Sequence, residues 1–363
     1  MKDIPEKLAN VEVELTGSLI RRLLREHYEP ILDEVAKTSR YCRKSKAKAN
    51  VVLIHGYSKH SQSSEMLQIE AQLQRRNCNV LKVDLPYHGL SAEEKERGLM
   101  RYFFPLMQVV HAIILKALDQ KREEPIPVVV VANSTGALAL YRCLQKNPYA
   151  KIQKYIACVV LVSMPLRLDH NLSRVLEKYK KHAAFVHKHQ RLLEPVLEVV
   201  SRLWPDVPVG ELPEGDKSDP LEYHQKIQLR TAAVLHGACK KARRDSAKIS
   251  LPVLFVHGDA DDTAPYEDVR EAFGAVSTPP EHKKMITYQS AGHRILREAQ
   301  TVNDIILWIE ERCKEKTWKS VESRGLVDDV VKTSVLGYLF VRQLLRTPWN
   351  LCLRTWKKIN VWK

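Results

Sequence analysis

Residues 128–136 read Val-Val-Val-Val-Ala-Asn-Ser-Thr-Gly and constrain the chain more than any other stretch. A run of β-branched residues without polar alternation predicts a strand buried on both faces. Gly136-Ala-Leu-Ala-Leu-Tyr-Arg-Cys-Leu144 then reads as a helix. Ser134 sits at the turn between them, with Ala132 and Gly136 two residues to either side. A serine so placed has the pattern of a nucleophile elbow, commonly Gly-x-Ser-x-Gly, in which a sharp turn exposes the hydroxyl. Small flanking residues matter because larger side chains would block that turn. Ala132 replaces the first Gly but is still small.

An elbow serine needs a base, an acid to orient the base, and donors for a developing oxyanion. The partners are expected downstream in the order acid, then His, each at a strand end. Leu251-Pro-Val-Leu-Phe-Val-His-Gly258 reads as a further buried strand and empties into Asp259-Ala-Asp-Asp-Thr-Ala-Pro265. The acid is therefore Asp259, Asp261 or Asp262. Lys284-Met-Ile-Thr-Tyr288 is a short strand followed by Gln-Ser-Ala-Gly-His293, which offers His293 as the base. The backbone N–H of Thr135, next after the serine, is one oxyanion donor. Val51-Val-Leu-Ile-His-Gly-Tyr57 supplies the second, the N–H of Tyr57, with His55 positioning that loop.

With these pieces in place the chain resembles the monoacylglycerol lipase and lysophospholipase-like α/β-hydrolases over roughly residues 50–314. Val83-Asp-Leu-Pro-Tyr-His-Gly-Leu-Ser91 is similar to that family's D-x-x-G-H-G-x-S. Asp219-Pro-Leu-Glu-Tyr-His-Gln-Lys-Ile-Gln-Leu-Arg-Thr231 is similar to its D-P-L-x-Y-x-x-K-x-R-x-x-T, the more specific of the two motifs. The segment His257-Gly-Asp-Ala-Asp-Asp-Thr-Ala-Pro265 is similar to H-G-x-x-D-x-x-(V/A)-P, and this resemblance singles out Asp261 as the acid. Asp259 and Asp262 are then turn and cap residues. The elbow itself departs from the family, reading A-N-S-T-G where G-x-S-x-G-G is usual, with His or Glu before Ser and Met after it. The resemblance implies an α/β-hydrolase fold, a helical cap, and a lipid monoester substrate such as a monoacylglycerol or lysophospholipid.

The 363 residues are 28% charged and 44% hydrophobic, as in globular proteins. Seven Cys, an odd number without C-x-x-C, argue against a disulfide framework or zinc site and fit a reducing cytoplasmic setting. The N-terminus opens no apolar signal core, and no stretch reaches the roughly eighteen apolar residues of a spanning helix. Lys and Arg number 58 against 43 acidic residues, a net charge of +15. Zinc-finger, RNA-binding and helix-turn-helix signatures are missing, so nucleic acid is not the expected partner. An anionic membrane surface or lipid head group fits the charge better. No cofactor or metal is called for, and the sequence sets no oligomeric state.

Strands near 51–54, 79–83, 126–132 and 157–162 alternate with helical stretches near 63–76, 99–119 and 136–147. This predicts an α/β fold with a mostly parallel central sheet and helices on both faces. The expected organisation is an N-terminal extension (1–48), a first half of the core (49–164), a helical cap inserted between strands (165–250), a second half (251–314) and a C-terminal extension (315–363). In the extension at the start, 15–37 reads as an amphipathic helix broken at Pro30, and the basic run 37–48 as a solvated linker. The cap carries a basic stretch, Lys178–His189, most simply a solvated helix face. It also carries a wide apolar face that includes Leu197, Val200 and Trp204, which are the substrate-lining candidates. Residues 342–363 hold six basic residues, no acid, and Trp349, Trp356 and Trp362, the pattern of an anchor to an anionic surface.

Together these readings give a serine ester hydrolase working through an acyl-Ser134 intermediate with Asp261 and His293. Two alternatives stand beside it: an acyltransferase on the same scaffold, and a non-catalytic protein of the membrane surface.

Overall fold

A computed structural model of the chain describes residues 38, 40–42, 46–118, 125–147, 149–168, 199–210 and 216–315. The expectations for 15–37, 178–189, Leu197 and 342–363 lie outside the described residues. Among the described residues, nine strands and six longer α-helices are named here in chain order. They are β1 (Arg40–Cys42), β2 (Ala49–Ile54), α1 (Ser64–Arg75), β3 (Cys78–Val83), α2 (Phe104–Leu118), β4 (Val128–Asn133), α3 (Thr135–Gln145) and β5 (Cys158–Val162). After them come β6 (Pro208–Gly210), β7 (Ile227–Gln228), α4 (Leu229–Arg244), β8 (Val253–Gly258), α5 (Tyr266–Ala275), β9 (Lys283–Tyr288) and α6 (Ala299–Lys314).

Seven strands form one sheet in the order β1-β3-β2-β4-β5-β8-β9. All neighbours run parallel except β1, which pairs antiparallel with β3. The fold is that of the α/β-hydrolases. Period-two alternation divides each central strand between two apolar layers. Val52 and Ile54 of β2 join Val130 and Ala132 of β4 in one layer, under α2, α3 and α4. Val51, Leu53, Val129 and Val131 face the other, under α1 and α6. Because both faces are covered, the sequence shows continuous apolar runs where a one-sided sheet would alternate.

Two boundaries differ from the sequence reading. The basic run before residue 49 is not all linker, since Arg40–Cys42 pairs with Val80–Lys82. An edge strand needs only one partner, and basic side chains protect it from further pairing, so its composition resembles a solvated stretch. The helix α4 lies within the range read as cap, yet Leu235, Ala238, Cys239 and Ala242 join the layer beneath α3.

The topology also locates the crevice. From β2 the chain steps outward to β3, then returns past β2 to β4, so the winding direction reverses between β2 and β4. Open α/β sheets bind ligands at such a point, outside the carboxyl ends of the strands.

Candidate active site

Ser134 follows β4 directly, with φ 49° and ψ −121°. A non-glycine residue in this region costs about 1–3 kcal/mol and persists only when its surroundings hold it. Here Ser134 N–H donates to Val162 O at 2.8 Å, and its own carbonyl accepts from Leu138 N at 3.0 Å. The crowding expected from the sequence has a measurable cause. A Cβ on Gly136 would lie 2.2 Å from His55 O, and one on Gly56 would lie 3.0 Å from the Ser134 Cβ. The close approach of β2 and β4 ends therefore requires glycine on the helix side.

Three candidates distant in sequence meet here. Ser134 Oγ is 2.9 Å from His293 Nε2, and His293 Nδ1 is 2.8 Å from Asp261 Oδ2. The His293 loop folds back on the Asp261 loop: Ser290 N–H donates to Asp259 Oδ1 at 2.6 Å and Ala260 N–H to Ala291 O at 3.1 Å. Gly258 permits this, because a Cβ there would fall 2.1 Å from Ala291 O. Asp259 is thus a loop tie, and Asp262 lines the cleft beside His293.

Comparison with known proteins gives the family and the fold. A family model described as "Serine aminopeptidase, S33" (Hydrolase_4) matches residues 45–300. The chain belongs to that family. A monoacylglycerol lipase of Mycolicibacterium smegmatis is 28% identical over 132 residues, 32% of this chain and 46% of that enzyme, so the match spans about half of the relative's length. Among solved structures, the monoacylglycerol lipase of Paleococcus ferrophilus superposes with a TM-score of 0.56 at 20% identity, covering 76% of this chain and 99% of that one. A soluble variant of Saccharomyces cerevisiae monoglyceride lipase, in complex with a substrate analogue, gives 0.57 at 14% identity over 76% and 90%. At these identities the two structures speak for the fold.

In this S33-family chain Asp261 is held by more than His293. Its Oδ1 accepts from Thr263 N at 2.9 Å and Ala264 N at 2.8 Å. Its Oδ2 also lies 3.3 Å from Nε2 of His257, a fully buried residue whose same nitrogen is 2.7 Å from Ala264 O. Burial alone would raise the Asp261 carboxyl. The hydrogen bonds from His257 and His293 and the Ala264 N–H outweigh it and hold the group far below the usual carboxylate range. Asp261 is therefore held as the carboxylate. His257 was not singled out from the sequence as a site residue; its signal was its place at the end of β8, four residues before the acid.

The two expected oxyanion donors flank the serine. Thr135 opens α3, so its N–H belongs to the first turn, whose amides have no partner within the helix. Tyr57 lies on the loop after β2, and both line a cleft of about 780 Å³ that contains Ser134 and His293. His55 ties that loop down: Nδ1–H donates to Gly56 O at 2.8 Å and Nε2 accepts from Leu85 N at 2.9 Å. The contact from Leu85 requires an unprotonated Nε2 and hence the neutral ring, and burial lowers its pKa to about 4.

Apolar lining of the cleft includes Tyr57, Pro165, Leu168, Ile227 and Leu235. Val200 and Trp204 are not among the described residues of that lining, and Trp204 is 58% exposed. The sequence showed an apolar face on residues 199–204 but not which way it points.

Proposed function

We propose that the chain is a serine ester hydrolase acting on a lipid monoester, a monoacylglycerol or lysophospholipid, through an acyl-Ser134 intermediate. The observation that carries this reading is the continuous chain of contacts Ser134–His293–Asp261 at the mouth of a cleft, with a helix N-terminus beside the serine. His293 Nε2 accepts the Ser134 proton as Oγ attacks the ester carbonyl, while ionised Asp261 fixes the tautomer and stabilises the imidazolium. The N–H groups of Tyr57 and Thr135 receive the oxyanion. His293 then returns the proton to the leaving alcohol, and water repeats the sequence on the acyl-enzyme. The alkyl chain runs over Pro165, Leu168, Ile227 and Leu235. The substrate class draws support from the monoacylglycerol lipases named above and from this apolar wall.

The test is labelling of the wild type and Ser134→Ala with a fluorophosphonate, read by intact mass, followed by turnover of a panel of monoacylglycerols and lysophospholipids. One adduct on the wild type and none on the variant is expected, with turnover of at least one lipid monoester. An unlabelled wild type would overturn the reading, and labelling without lipid monoester turnover would overturn the substrate class.

A further inference from the structure

The acidic motif at 219–223 stands apart from the Ser134–His293–Asp261 chain, and the structure shows what it touches. Three successive residues of the loop after β2 are each held by it. Tyr223 N–H donates to Ser58 O at 3.0 Å. Lys59 Nζ meets Glu222 Oε1 at 2.5 Å, and His60 Nε2 meets Asp219 Oδ2 at 2.8 Å. The next residue, Ser61, donates its N–H to Asp84 Oδ1 at 2.7 Å, which anchors the loop to the end of β3. Arg97 reaches Pro220 O at 2.5 Å from the other side, and the Tyr223 ring packs edge-on against Tyr57 with centroids 5.9 Å apart.

Two physical features say that this is more than adhesion. Ser58 has φ 64°, a left-handed conformation that a non-glycine residue keeps only under constraint. It immediately follows Tyr57, so the constrained residue adjoins the expected oxyanion donor. The Lys59 and Glu222 side chains are only 11% and 2% exposed. A buried ion pair gives little net stability over apolar residues of the same size, and its attested use is to specify one geometry.

We propose that Asp219, Glu222, Lys59 and His60 are positioning residues for the reaction, forming a strap that sets the strained Tyr57–Ser58 turn and hence the oxyanion donor. The proposal rests on the ester hydrolase reading above. It makes the inserted segment and the oxyanion loop one unit, so that displacing the segment withdraws the donor.

The experiment compares wild type with Asp219→Asn, Glu222→Gln and the double variant, using a soluble short-chain p-nitrophenyl ester. The readouts are kcat and KM separately, amide hydrogen exchange across 55–61 and 130–140, and fluorophosphonate labelling. A donor misplaced by about 1 Å costs on the order of 10²-fold. The double variant is therefore expected to lose about 10²-fold in kcat with KM within about twofold, with faster exchange at 55–61 alone. Glu222→Asp, which keeps the charge, should recover part of the loss. Should the double variant not fold, Asp219→Asn, whose carboxylate is partly exposed, must alone lower kcat severalfold. Unchanged kcat per folded, labelled molecule, or a loss confined to KM, overturns the strap. A wild type that takes no fluorophosphonate overturns the hydrolase reading instead, so the two failures are distinct.

Discussion

The elbow and the loop opposite it face the same cleft but are held by different physics. At the elbow, backbone geometry and close contact do the holding: Ser134 is pinned by Val162 O, and Gly136 leaves space for His55 O. At the loop, hydrogen bonds and charges do it: His55 to Gly56 and Leu85, Asp84 to Ser61, Lys59 to Glu222, His60 to Asp219. Packing is nearly indifferent to pH and to side chains far along the chain. Polar ties answer to both.

The largest expected effect removes the elbow's hydroxyl and leaves the loop alone. Ser134→Ala should lower kcat on any turned-over ester by about 10⁴-fold or more, since loss of the nucleophile alone disables a triad acting as a unit. Its melting temperature should stay near that of the wild type, because among the described residues the small side chain is hydrogen-bonded to His293 alone. Residual activity within about tenfold of wild type would remove Ser134 from the role proposed.

Acid should separate the two regions next. His55 has its pKa lowered to about 4 by burial, and His88, in edge-on contact with it, to about 3. The unfolded chain binds protons at these rings from about 6.5 downward, where the folded protein does not. Their contribution is therefore complete above pH 6.5 and is lost as the pH falls toward 4. For His55 alone the shift corresponds to about 3 kcal/mol. Urea unfolding between pH 7.5 and 4.5 should show stability falling through this window, and less steeply in His55→Gln. Protonated Nε2 cannot accept from Leu85, so the loop should loosen before the elbow. A flat profile would mean that these rings are not held neutral.

Such differences also decide what could be read from the sequence. The elbow was legible because everything it needs is local: a Val run, a serine, and a small residue on each side. The sheet was legible for the same reason, each buried strand being a continuous apolar segment. His293 was offered by a strand end and the glycine before it, whereas the strand end after 258 left three aspartates open and only the resemblance to a family pattern picked out Asp261. The strap was not, because Lys59 and Glu222 look like surface residues and are 163 positions apart; only the resemblance of 219–231 to a family pattern marked the place. The edge strand β1 was hidden by its basic surroundings, and the direction of the 199–204 face depends on neighbours no local pattern records.

Gly136→Ala tests the packing side directly. The added methyl would sit 2.2 Å from the His55 carbonyl oxygen and 2.8 Å from Ile54 Cγ2. Both belong to the β2 end, so α3 must move away from the loop or the loop away from α3. Overpacking of this kind costs about 1–3 kcal/mol. Thermal melts should show that loss, and kcat should fall more than KM rises, since the two oxyanion donors would be pushed apart. Unchanged melting and kcat would show that the elbow is looser than its contacts imply.

The smallest effect is expected where neither region reaches. Val199, Leu203, Trp204 and Val207 are 57%, 64%, 58% and 44% exposed, and none lines the described part of the cleft. Surface substitutions away from special features change stability by no more than about 0.5 kcal/mol. Trp204→Ser should therefore leave unfolding and the turnover of a soluble short-chain ester at wild-type values. The same variant assayed on monoacylglycerol dispersed in anionic vesicles isolates what the exposed face does, because only there does an apolar surface meet lipid. Slower turnover on vesicles alone would assign this face to the lipid interface. A loss on the soluble ester would place Trp204 against the cleft after all, and the division between a packed elbow and a tied loop would need a third contributor.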